Sequence, residues 1–107
     1  MAFAFVQDFP SGGDETSTSN YDAIHAAIMQ KASDPAGLII HTAGFTGEGF
    51  RIFEVWESRE QCEKFMDEVV MPTVMEVTQD HPGMPPTTTT YELHNMLRPV
   101  RAHEPAA

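Results

Sequence analysis

With 107 residues, the chain is expected to form one domain with a thin core, a size at which oligomerisation often adds stability. Sixteen acidic residues against six basic ones give a formal charge of −10, which sets nucleic acid and anionic membrane surfaces aside as partners. Cys62 is the only cysteine, so an internal disulfide is excluded and a reducing, cytoplasmic setting is expected. No apolar run approaches membrane-spanning length, and MAFAFVQDFP lacks the basic region of a secretory signal.

In chain order, FAFVQDF (Phe3 to Phe9) reads as a strand ended by Pro10. PSGGDETSTSN is a polar, glycine-containing loop. YDAIHAAIMQKA follows with helical spacing: Tyr21, Ile24 and Ile28 share a side, and Ser19 and Asp22 are spaced as a capping box with a shortened acid, Thr18 and Asn20 being alternative caps. Pro35 cannot continue that helix. GLIIHTAG and FRIFEVWE read as two strands of a hairpin joined by FTGEG. Ser58 and Gln61 form a capping box for a second helix, along which Cys62, Phe65, Met66, Val69 and Val70 make an amphipathic stripe. Pro72 is expected to kink this helix or to begin a short new one, PTVMEVTQ. DHPGMPP is a loop, TTTTYELHNMLR the last strand and PVRAHEPAA a tail. One domain over residues 1–98 is expected, with 99–107 as a C-terminal tail.

The order β-α-β-β-α-β is the α+β, ferredoxin-like arrangement, with two helices on one face of an antiparallel sheet. Both faces of the hairpin strands are apolar. Alternation sets Phe53 and Val55 on one face and Phe50, Ile52 and Trp56 on the other. Leu38, Ile40 and Thr42 are expected toward the helices, and Ile39, His41 and Ala43 away from them. A helix-free face carrying Phe50, Ile52 and Trp56 needs a cover, and the same face of a second copy is the economical one, so a homodimer is expected.

The stretch GFRIFEVWESREQCEKFMDE, with a strand ending E-V-W, a capped turn and an amphipathic helix with a central Phe, resembles the dimeric α+β barrel superfamily, in particular its antibiotic-biosynthesis-monooxygenase-like branch. YELHNML also fits, and the resemblance spans roughly residues 3–98 in element order. Members of that superfamily include oxygenases that use no added cofactor on phenolic polyketides or quinols, haem-degrading enzymes and lyases. The haem-degrading members pair a strand Trp with an Asn in the first strand and a His in the second helix. Trp56 matches by position, but the first strand offers Gln7 and Asp8, and residues 59–77 contain no His. The resemblance therefore points away from haem.

Glu54 stands among strand apolars, on the same face as Trp56. It is either a paired or solvated carboxylate at a cavity mouth or a functional one inside. His41 falls near Ile52 to Glu54 across the hairpin, and a His–carboxylate pair in an apolar pocket suits general acid–base work. It is also an ordinary way to satisfy a half-buried histidine. Glu54 and His41 are the catalytic candidates. Trp56, Ile52 and Phe50 are substrate-binding candidates, with packing as the alternative for Trp56. On the last strand one of two sets faces inward, Glu92 and His94 or Tyr91, Leu93, Asn95 and Leu97, so Tyr91 and His94 are both carried as substrate-binding candidates. The histidines show no metal-motif spacing, and no nucleotide or nucleophile-elbow motif occurs. Neither metal nor cofactor is expected. Two functions remain: a cofactor-independent monooxygenase acting on a small hydrophobic or aromatic, polyketide-like molecule, or a non-catalytic dimer with a ligand-binding or structural role.

Overall fold

The computed structural model describes residues 1–10, 18–80 and 83–99. The elements run β1 (Phe3–Pro10), α1 (Ser19–Lys31), β2 (Leu38–Phe45), β3 (Gly49–Trp56), α2 (Arg59–Phe65), a π-helical turn (Met66–Val70), α3 (Met71–Val77) and β4 (Thr87–Glu92). The strands form one sheet in the order β2-β3-β1-β4, and every neighbouring pair is antiparallel. This is the α+β, ferredoxin-like arrangement. His81, His103 and the tail beyond Pro99 lie outside the described residues.

Local chemistry sets the element ends. The Ser58 hydroxyl accepts the Gln61 backbone N–H at 3.2 Å and starts α2, as a capping serine does. In the hairpin, the Thr46 hydroxyl accepts the N–H groups of Glu48 and Gly49. That closure aligns β2 and β3 so that His41 stands opposite Glu54. Pro72 lies in the first turn of α3, where a missing N–H costs least. The widened π turn directly before it re-phases the helix, so Met66, Val70 and Val74 all face the sheet. Strand β4 stops at Glu92 rather than continuing through Arg98. The last backbone bond on that edge is Leu93 N–H to the Ala2 carbonyl, where β1 itself runs out.

The register assigns the faces, because paired residues share one. Phe3, Trp56 and Leu38 form one row across the sheet, Phe5, Glu54 and His41 the next, and Gln7, Ile52 and Ala43 the third. Phe3, Phe5 and Trp56 form the core with Cys62, packed by Leu38, Phe65 and Met66. The Trp56 and Phe65 rings lie 5.5 Å apart. This face is therefore the helix-covered one. The expectation that Phe50, Ile52 and Trp56 occupy the helix-free face is overturned, and Phe53 and Val55 are the residues found there. The helices settle on the bulkier set, which one chain can bury unaided.

Strand β2 corrects a second expectation. Leu38 pairs with Trp56 and Ile40 with Val55, so Ile39 is an extra, bulged residue. The bulge lets Leu38 and His41 share the helix side despite their odd spacing. It turns Ile40 and Thr42 to the opposite face, where Ile40 is 48% exposed.

Candidate functional site

Between the sheet and the helices lies a cavity of about 720 Å³. Its sheet wall carries Phe5, Phe50, Ile52, Glu54 and His41, and its helix wall carries Tyr21, Ile24 and His25 from α1 with Val70 and Val74. Apolar spacing on α1 brings Tyr21, Ile24 and Ile28 to this wall, as expected from the sequence. A smaller, more open recess of about 470 Å³ lies on the Phe3, Arg59 and Thr90 side. It lacks the hydrogen-bonded acid–base chain of the larger one.

That chain begins deep in the sheet. Glu54 is 9% exposed, and both of its oxygens are engaged. Oε1 accepts the Trp56 indole N–H at 2.9 Å, and Oε2 meets His41 Nδ1 at 2.5 Å. His41 Nε2 in turn meets the Tyr21 hydroxyl at 2.6 Å. An ionised carboxylate can only accept, so opposite one Nδ1 carries its hydrogen, and in that tautomer of the neutral ring Nε2 is the acceptor for the Tyr21 hydroxyl. Burial, the Glu54 charge and Asp22 together push the Tyr21 phenol above its ordinary value. The rings are also stacked: Tyr21 lies 5.6 Å from His25, and His25 lies 5.6 Å from His41. Phe50 packs against Tyr21 at 5.3 Å. A deeply held carboxylate, an oriented imidazole and a phenol at the wall form a path along which one proton can move.

The candidates from the sequence separate here. Glu54 and His41 are in contact on the cavity wall, and Ile52 and Phe50 line the same wall. Trp56 is fully buried behind Glu54, in the core rather than on the lining. Tyr91 pairs with Ala4, which places it on the helix-free face. His94 lies past the end of β4 and is exposed. Tyr21 and His25 were not singled out from the sequence as site residues. The signal was there: they are the two polar-tipped rings on the apolar side of α1. Among the described residues, no three His, Cys, Asp or Glu side chains group closely enough to hold a metal ion.

Cys62 lies beneath the site, and burial foremost, followed by the Glu54 charge, pushes its thiol up to about 12. The folded protein is expected to resist a thiol-reactive disulfide at mildly alkaline pH and to react with one equivalent once denatured. Rapid stoichiometric labelling of the native chain would contradict this placement.

Neither a family model nor a curated protein sequence matches the chain. Solved structures do. A protein of unknown function from Nitrosomonas europaea is similar over 92% of this chain and 94% of its own, with 17% identity and a TM-score of 0.63. SnoaB, a cofactor-independent oxygenase from Streptomyces nogalater solved in a mutant form, is similar over 90% of this chain and 96% of its own, with 12% identity and a TM-score of 0.60. A monooxygenase from the gene ActVA-Orf6 of Streptomyces coelicolor, in complex with nanaomycin D, is similar over 92% of each chain, with 16% identity and a TM-score of 0.59. With this sheet order and these helix positions, the chain shares the α+β, ferredoxin-like fold of these solved structures.

Proposed function

We propose that the protein binds a small planar aromatic molecule in the sheet–helix cavity and oxidises it with molecular oxygen, without an added cofactor. The observation that carries this reading is the His41–Glu54 pair set into an otherwise apolar cavity. Removing a proton from an electron-rich aromatic leaves an anion that reacts with oxygen directly, so the protein need supply only a base and a dry pocket. Nanaomycin D, bound to the Streptomyces coelicolor relative, supports a small-molecule site in this fold. The test uses anthrone, which consumes one oxygen molecule to give anthraquinone and water. Oxygen uptake by the purified protein above the buffer rate, with one labelled oxygen atom in the product, supports the proposal. Saturable binding of 1-naphthol without any turnover favours a ligand-binding protein instead.

The assembly proposed is a homodimer joined through helix-free sheet faces. The residues that support it differ from those expected from the sequence. Ile40 and Tyr91 stand at the two ends of one row on that face, 48% and 46% exposed, with Val55 and Ala4 between them and Phe53 in the next row. A stable interface buries about 800 Å² per partner, which a sheet face can supply. Sedimentation at micromolar concentration is expected to give twice the chain mass, and Ile40→Asp to shift it toward the monomer. A wild-type monomer under those conditions would remove the proposal.

A further inference from the structure

We propose that Tyr21 is the residue that receives the substrate's proton, and that the cavity therefore selects planar aromatics presenting a ring hydroxyl toward α1. This rests on the proton-abstraction reading above and follows from which groups are already engaged and how deeply each is buried. Glu54 commits one oxygen to Trp56 and the other to His41, and His41 commits one nitrogen to Glu54 and the other to Tyr21. With hydrogen on His41 Nδ1, Tyr21 donates its own hydrogen inward to Nε2, which leaves a lone pair on its oxygen. It is half-buried and on the cavity lining. The chain that starts at Glu54 thus reaches the cavity through the phenol. Stacking by His25 and contact with Phe50 hold the ring in place.

The transfer balances. The substrate hydroxyl, which in anthrone is that of its enol tautomer 9-anthrol, gives its proton to Tyr21 Oη while the Tyr21 proton passes to His41 Nε2. The products are a substrate oxyanion, a neutral Tyr21 that now hydrogen-bonds it, and an imidazolium facing the Glu54 carboxylate. The total charge is unchanged. The raised position of the phenol fits a group that passes a proton on without itself persisting as phenolate.

Tyr21→Phe keeps the ring and its stacking and removes only the hydroxyl. With anthrone, kcat is expected to fall about 10²–10⁴-fold with KM changed only a few-fold, and the rate to recover as rising pH ionises anthrone itself. If Tyr21→Phe keeps full activity while Glu54→Gln loses it, the role of Tyr21 is overturned and the His41–Glu54 reading stands. A loss that persists in alkali marks a structural residue and also overturns the role. Absence of turnover by the wild-type protein removes both readings. Nitrogen-15 NMR gives a readout independent of turnover: near neutral pH His41 should carry hydrogen on Nδ1 and none on Nε2. The reverse tautomer, or an imidazolium, overturns the relay.

Discussion

Trp56→Ala is expected to destabilise the fold by roughly 3–5 kcal/mol, the range for truncating a large buried aromatic. Trp56 is 0% exposed and packs among Phe3, Phe5 and Cys62, with Phe65 against its ring. The substitution opens a void where the second helix meets the sheet. It also strips the indole N–H from Glu54 Oε1, and a buried acceptor left without a partner adds about 1–3 kcal/mol. The two contributions separate in Trp56→Phe, which keeps most of the volume and loses only the donor. Denaturant unfolding gives the answer as a lowered midpoint at unchanged slope. Because Trp56 lies on the helix-covered face, its loss should leave the mass of the assembly unchanged in sedimentation under native conditions. A Trp56→Ala protein as stable as the wild type would show that the core is not built as described.

Glu54→Gln is expected to have the opposite profile, with little change in stability and a large loss of function. Gln keeps the shape, and its carbonyl oxygen can still accept from Trp56. Its amide then presents N–H to His41 Nδ1, where the carboxylate had accepted. The imidazole must switch tautomer to accept there. It then donates from Nε2 toward Tyr21 and can no longer receive a proton from it. Anthrone-dependent oxygen uptake should fall by about 10²–10⁴, as when a general base is removed. Stability should move by less than the Trp56→Ala effect, and a gain is physically reasonable because desolvating a carboxylate is costly. Glu54→Ala should be worse than Gln on both counts, since it leaves both the Trp56 and His41 donors without an acceptor. Undiminished turnover in Glu54→Gln would exclude the carboxylate from the chemistry.

Much of the architecture is legible in the sequence. The capping serine, the hairpin glycines and the period-two strands depend on neighbours close in the chain, so local rules place them. The alignment of His41 with Glu54 belongs to the same class, because a short hairpin determines its own register. The end of β4 is different. TTTTYELHNMLR reads as one strand, but a strand extends only as far as its partner does, and β1 begins at Phe3.

The face assignment depended on tertiary structure for a similar reason. Alternation divides β3 correctly into Phe50, Ile52, Glu54 and Trp56 against Phe53 and Val55, and it is silent on which set meets the helices. That choice follows from how the α1 crossover and α2 return onto the sheet, and from where the larger rings can be buried within one chain. The bulge at Ile39 is likewise invisible in GLIIHTAG, where every residue suits a strand, yet it brings Leu38 and His41 to one side. Tyr21 shows the same limit at the site. The sequence determined that it lies on the apolar side of a helix. Only the packing of α1 over β2 and β3 brought its hydroxyl within 2.6 Å of His41, because 20 residues of chain separate the two and no local rule spans that distance.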